Sequence, residues 1–275
     1  MIGMRFALNH SIAPLMPIPA FLSLASKVGV DAVELRDGMP PGWEFPNAAN
    51  VLLQDPRDVA SMAVDHGLEI LSINALQRFD QWDKERADQA RVMIDFAAAA
   101  GISSIVLCPS VAPVGSTALP TGLPAALDGL QPLLEDAGIQ GLIEPLGFPR
   151  SSLRMKAIVD LEFSERGNPG CLGIVHDSFH HAIASESQVS AHTRLVHLSA
   201  VPNMGLDLDA YGDEHRTLLG PDDVIGNVEQ VRRLQAFYAG PWSLEPFASE
   251  VGASPRLADD LRDSLAFLRD AVASS

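Results

Sequence analysis

Four short apolar runs in the second half of the chain each carry, at or near their ends, a residue able to bind a divalent cation. Glu144 follows QGLI, Asp177 closes CLGIVHD, His197 falls in RLVHLSA and Glu245 in WSLEPF. Three carboxylates drawn into one cavity repel one another and are costly to strip of water, and a bound dication removes that cost. Three oxygen donors and one imidazole nitrogen accept Mn, Zn, Mg, Co or Fe and do not select among them. Each residue also has an ordinary structural use. His197 follows Leu195-Val196 as a core histidine would, Glu144-Pro145 and Glu245-Pro246 can each open an exposed loop, and Asp177 before Ser178-Phe179-His180 reads as a helix N-cap. It is the recurrence at four successive run ends that points to one centre for one divalent ion.

Further polar residues fit a substrate shell around it. Asn74 ends an earlier run. His180, three residues beyond Asp177, falls near the first turn of the following helix and can face the same cavity. His176 and His181 are expected to point elsewhere, because side chains alternate along a strand and rotate about a helix. Arg150 follows Glu144 across a Gly-Phe-Pro turn. Arg216 lies in DEHRTLLGPDD (213–223), with His215 a weaker candidate beside it. Trp43, Phe79 and Trp82, in loops nearer the N-terminus, either wall the pocket or pack beneath it.

The elements that must position these side chains are legible as eight apolar runs: 5–10, 31–37, 68–76, 103–109, 140–147, 171–177, 194–200 and 242–247. Their mean spacing is about 34 residues, the length of a strand, a crossover helix and two loops. The clearest helix is 83–100, with charges in its first turns and Gly101 as its C-terminal stop. Others are expected over 224–237, after Pro221-Asp222-Asp223, and over 255–272. Strands apolar on both faces with helices between them imply a parallel sheet covered all round. Eight such units closing on themselves make an α/β fold, a (β/α)8 TIM barrel over 1–275 as a single domain, and send every strand's C-terminal end to one mouth. Asn9, His10, Glu34 and Arg36 also stand at such ends. An open doubly wound sheet is the alternative, but no GxGxxG follows the first run.

Composition bounds the function. The chain has 275 residues, 47% hydrophobic and 20% charged, enough for one large core. Its 19 basic against 35 acidic residues give a formal charge of −16, the wrong balance for a body that grips nucleic acid or an anionic membrane. No apolar run approaches the roughly 18–20 residues that cross a bilayer, and MIGMRFALNH lacks the pattern of a signal peptide, so a cytoplasmic location is expected. Cys108 and Cys171 form neither a disulfide framework nor a zinc pattern.

Six stretches carry a family likeness: SINAL (72–76), E-x-x-G-x-P in EPLGFP (144–149), DSFH (177–180), the histidine at 197, D-x-x-R-x-x-x-G-P over 213–221, and S-x-E at 243–245. On these the chain resembles the xylose-isomerase-like TIM-barrel superfamily, and within it the 2-keto-myo-inositol (inosose) isomerases of inositol catabolism. The resemblance implies that Glu144, Asp177, His197 and Glu245 hold the metal, that His180 contacts substrate oxygens, and that Asn74 and Arg216 are further contacts. The chain departs from it at Ala200, where relatives often carry an acidic residue able to orient the histidine. The expected substrate is a small polyol or keto-sugar whose ketone moves to the adjacent carbon through an enediolate, with Glu144 and Glu245 as the acid/base pair. A ketose 3-epimerase and an inosose dehydratase are alternatives on the same scaffold, and a non-catalytic sugar-binding barrel is the alternative outside the enzymes. Barrels of this type commonly associate, so a homo-oligomer fits the resemblance.

Overall fold

Each of the eight runs becomes a strand, and the amphipathic segments between them supply the covering helices. The computed structural model describes residues 4–39 and 48–274; Trp43 lies outside the described residues. The strands are β1 (Phe6–Asn9), β2 (Ala32–Arg36), β3 (Glu69–Gln77), β4 (Ser104–Cys108), β5 (Gln140–Ile143), β6 (Leu172–Asp177), β7 (Thr193–Leu198) and β8 (Trp242–Leu244). All pair in parallel in sequence order, and β1 pairs with β8, with Leu8 opposite Leu244, to close the barrel. The helices are α1 (Ile18–Val28), α2 (Pro56–Asp65), α3 (Lys84–Ala100), α4 (Leu123–Ala137), α5 (Lys156–Glu165), α6 (Ser178–Ile183), α7 (Asn227–Leu234), α8 (Ser249–Gly252) and α9 (Leu257–Ala273).

The period of two along each strand sorts the side chains. Ala7, Ala32, Leu71, Val106, Leu142, Val175 and Leu195, one from each of the first seven strands, form a cluster of their own. Residues one position away, such as Leu8, Val33 and Val196, join the larger core shared with the helices. The first set therefore faces the barrel axis. Two residues further along the same face stand Asn9, Glu34, Glu144, Asp177 and His197, all buried. An interior packed with small apolar groups at the bottom thus gives way to polar groups at the C-terminal mouth, the end where barrels of this kind carry their chemistry.

Local signals set the helix ends. The Asp83 side chain accepts from the Arg86 amide at 2.8 Å, and Gly101 (φ 68°) ends α3 in the left-handed region that favours glycine. The helix expected over 224–237 is shorter. Asp223 accepts from the amides of Asn227 (2.9 Å), Val201 (3.2 Å) and Ile225 (3.3 Å), while the Val224 amide donates to the Val201 carbonyl at 3.0 Å. The segment before Asn227 is thereby tied to the strand-seven loop, and α7 begins only once Asp223 has capped it. Both cysteines are free. No helix among the described residues is long and apolar enough to cross a membrane.

Candidate metal centre

Glu144, Asp177, His197 and Glu245 meet at the mouth, all buried, with one ligand atom from each lying within 4.8 Å of the others. Metal–ligand bonds of about 2.0–2.2 Å put opposite ligands about 4.2 Å apart, so small side-chain adjustments bring the set onto one ion. His197 Nδ1 faces this cluster, 2.7 Å from Glu144 Oε1 and 3.2 Å from Glu245 Oε2. Asp177 does two things at once. Its Oδ1 caps α6 by accepting from the His180 amide at 2.9 Å, and its Oδ2 accepts from Arg216 at 2.5 Å.

The other imidazole nitrogen, Nε2, lies 3.1 Å from Glu34 Oε2. That same oxygen accepts from the Ser72 hydroxyl (2.6 Å) and the Asn74 amide (2.9 Å), and Ser243 donates to Oε1. Burial alone would raise the Glu34 carboxyl, but the charge and hydrogen bond of His197 and the hydroxyls of Ser243 and Ser72 hold it at about 2. An ionised Glu34 can only accept, so the imidazole donates from Nε2 and turns its Nδ1 lone pair toward the three ligand carboxylates. Burial opposes a proton on Nδ1, yet the charges of Glu245, Glu34 and Glu144 together push the His197 pKa well above its ordinary value. A positive charge is wanted at that position, and a metal ion would supply it. Glu34 therefore fills the orienting role that Ala200 leaves open: the carboxylate comes from β2, across the barrel, and not from the strand-seven loop.

The charge count agrees. Four carboxyl groups, Glu34, Glu144, Asp177 and Glu245, share the buried mouth with the guanidiniums of Arg36 and Arg216. With Asp213 also held by Arg216, carboxyl groups outnumber guanidiniums here, and a divalent ion would offset excess negative charge. Arg216 donates to Glu245 (2.9 Å), Asp177 and Asp213 (3.1 Å), stacked between Phe179 (5.1 Å) and Phe247 (4.7 Å). Arg36 and Asn9 reach Glu245 Oε1 at 3.2 and 3.1 Å. Burial raises the Glu245 carboxyl, but the charges of His197 and Arg216 hold it at about 2.

Glu144 and Glu245 of the four-residue set line a cavity of about 760 Å³, with His180, Arg150, Arg216 and Cys108 among its other walls, while Asp177 and His197 lie behind them. His180 is buried with no hydrogen-bond partner for Nδ1 among the described residues, and its ring meets the edge of Phe148 at 5.0 Å. The glycine of EPLGFP has a physical reason here: a Cβ on Gly147 would lie 2.1 Å from the His180 carbonyl oxygen. Arg150 lines the cavity and donates to the Ala112 carbonyl. Asn74 does not line it; its amide nitrogen is taken up by Glu34 and by Ser72 at 2.8 Å. His176 is turned away, to Gln230 Oε1 at 2.9 Å, and His181 stacks obliquely on His176 and faces Glu186. Phe79 is fully buried in the strand–helix core, and the Trp82 indole lies against Gly129 of α4, so both pack beneath the loops and do not wall the pocket.

The closed barrel and the group of four residues able to hold a metal belong to a recognisable class of protein, and comparison with known proteins names it. The model of the family described as xylose isomerase-like TIM barrel matches residues 22–271, and the chain belongs to that family. It is 28% identical over 273 residues to a 3-dehydroshikimate dehydratase of Pseudomonas aeruginosa, a match that covers 92% of this chain but 40% of that protein. The chain thus spans well under half the length of this curated relative. A xylose isomerase domain-containing protein of Salmonella typhimurium LT2 superposes with a TM-score of 0.83 at 30% identity, over 98% of both chains. The IOLI protein, solved with a bound zinc atom, has the same fold, with a TM-score of 0.78 at 19% identity over 98% of both chains.

Proposed function

We propose that this protein is a divalent-metal-dependent enzyme that enolises a polyhydroxy ketone and moves its carbonyl to the adjacent carbon. The observation that carries this reading is the set of three carboxylates and one oriented imidazole nitrogen, two of whose members, Glu144 and Glu245, line a cavity large enough for a six-carbon ring. Glu144, Asp177, His197 and Glu245 would hold the divalent ion, which when bound would supply positive charge to polarise the substrate carbonyl.

The two catalytic carboxylates differ in how their oxygens are engaged. Both oxygens of Glu245 are occupied by donors, Oε1 by Asn9 and Arg36 and Oε2 by Arg216. Glu144 Oε2 has one weak donor, the Cys108 thiol at 3.3 Å. Glu144 therefore has lone pairs free for the proton. It takes the hydrogen from the carbon beside the ketone, the C–H electron pair becomes the C=C bond of the enediolate, and the carbonyl oxygen takes the negative charge. His180 donates to that oxygen. The neighbouring hydroxyl then passes its proton to the former carbonyl oxygen, and return of the carbon proton to the former carbonyl carbon leaves the new ketone on the adjacent carbon, while Glu245, fixed by two arginines, shapes the opposite side of the site.

A second reading has a specific support. The curated relative of this chain is a dehydratase, and expulsion of a β-hydroxyl from the same enolate yields an unsaturated ketone in place of the isomer. One assay separates the two. The metal-loaded protein is incubated in D2O with 2-keto-myo-inositol and with 3-dehydroshikimate, and products are followed by NMR and ultraviolet absorbance. Isomerisation gives deuterium at the carbon flanking the new carbonyl; dehydration gives a rising conjugated absorbance. Product formed with full retention of the original hydrogen, or turnover undiminished by chelator, would overturn the reading.

A further inference from the structure

Opposite the acidic loop that carries Asp209 and Glu214, the cavity wall is cationic: Arg78 and Arg150 stand there with Gln77. Three neighbouring loops build this wall. Gln77 pairs with Cys108 at the end of β3 and β4, and the Phe79 amide donates to the Cys108 carbonyl at 3.1 Å. The Ala112 amide, just beyond β4, donates to the Arg150 carbonyl at 3.0 Å, and the Arg150 guanidinium returns a bond to the Ala112 carbonyl. The segment after β4 thus holds Arg78 on one side and Arg150 on the other.

Arg78 has a backbone that arginine seldom adopts. Its φ is +56°, in the left-handed region, inside a turn closed by the Gln81 amide donating to the Arg78 carbonyl at 3.0 Å. Phe79, the next residue, is fully buried and anchors the turn to the core. The result projects the side chain from the rim as an exposed guanidinium that makes no ion pair among the described residues. Arg150 also has no carboxylate partner among them. The other two arginines of the mouth are used differently: Arg36 and Arg216 are buried and committed to Glu245 and Asp177. In a chain of formal charge −16, two guanidiniums without a carboxylate partner among the described residues, beside a candidate metal centre, are a local reversal of sign that can draw in and orient an anion.

From this arrangement we infer that the substrate carries an acidic group, a carboxylate or a phosphate monoester, seated against Arg78, Arg150 and Gln77 while its ketone and hydroxyls lie over the four-ligand centre. The inference rests on the reading of that centre as the place where a polyhydroxy ketone binds, and it names the class of ketone. Guanidinium matches either oxyanion with two parallel N–H donors. The acidic wall around Asp209 and Glu214 repels the same group and so fixes which way round the ring enters.

Three stable ring polyols test it on the full chain loaded with Mn2+, by titration calorimetry: quinate, which carries a carboxylate; myo-inositol 1-phosphate, which carries a phosphate; and uncharged myo-inositol. The expected result is that one of the two anions binds about tenfold or more tighter than myo-inositol, which also identifies the acidic group. Arg78→Gln, a change at a side chain with no other ion pair, should shrink that ratio by about fivefold or more, and salt should shrink it too. Equal binding of all three polyols, or an Arg78→Gln variant with the parent ratio, would overturn the inference and leave the polyhydroxy-ketone reading standing. No binding of any polyol to the metal-loaded protein would remove that reading and this inference with it.

Discussion

Glu34 Oε2 sits 3.1 Å from His197 Nε2, while Glu144 Oε1 sits 2.7 Å from Nδ1 of the same ring. One imidazole therefore bridges a structural carboxylate on β2 and a ligand carboxylate at the end of β5. Glu34→Gln keeps the volume but replaces a pure acceptor by a group that also donates, so the ring loses the partner that fixes its tautomer. Loss of such an outer partner typically costs about 10–100-fold in metal affinity. The variant is expected to retain the barrel by circular dichroism and to bind Mn2+ or Zn2+ weaker by that factor in calorimetry. Unchanged affinity would show that His197 needs no orientation from Glu34.

Glu144→Gln tests the division of labour between the two carboxylates. The amide can still coordinate through its oxygen but cannot hold a proton from carbon. Removing a positioned proton-transfer group costs about 10²–10⁴-fold in rate, so kcat should fall in that range while KM moves little. Solvent deuterium should cease to enter unreacted ketone. A variant that still exchanges the α-hydrogen at the parent rate would transfer the base role to another group, with Glu245 the next to be tested.

What the sequence shows and hides follows from the range of each interaction. Strand ends are local. Ala32, Glu34 and Arg36 alternate inward along one strand, and the polar pair after the alanine already marks the end of β2 at the mouth. The four ligands share that property, each two residues beyond an inward-facing position of its own strand. The partner of His197 is not local: Glu34 is 163 residues away, and only closure of β1 on β8 brings the two halves of the mouth together. The departure at Ala200 was therefore visible and its replacement was not. Arg216 shows the same limit. Its type fits a substrate contact, but its guanidinium is spent on Asp177, Glu245 and Asp213. Asn74 is likewise spent on Glu34, a use that depends on the β2–β3 register of Arg36 against Asn74.

His10 gives a pH dependence whose sign can be worked out. Burial, more than the Arg36 charge, pushes its pKa down from 6.5 to about 4 despite the Met16 carbonyl, which its Nε2 meets at 2.9 Å. Between pH 4 and 6.5 the unfolded chain binds a proton that the folded one does not, so this group's contribution is present above 6.5 and lost as pH falls toward 4. The amount is on the order of 3 kcal/mol. Asp37 acts in the opposite sense: burial raises it from 3.8 to about 6, so its contribution is present at low pH and lost as pH rises through that window. The two slopes offset each other in the parent protein. In urea titrations at pH 7 and pH 4, His10→Gln should therefore gain on the parent by up to about 3 kcal/mol on acidification. A constant difference between the two proteins would refute the burial argument.

Phe79 decides between a packing role and a pocket role for the aromatic residues after β3. Its side chain is fully buried among the apolar residues shared by strands and helices, and its amide ties the loop to Cys108. Phe79→Ala leaves a cavity there, and substitutions of this kind cost about 3–5 kcal/mol. The midpoint of urea unfolding should fall accordingly. Because the side chain does not line the substrate cavity, the KM of the folded molecules for an uncharged polyol should stay near the parent value, and lost activity toward it should track lost folded protein. The adjacent Arg78 turn supplies a sharper readout: if Phe79 anchors it, the variant should also lose part of the preference for a charged over an uncharged polyol. A stable Phe79→Ala protein with a raised KM for neutral and charged polyols alike would make this ring a pocket wall after all.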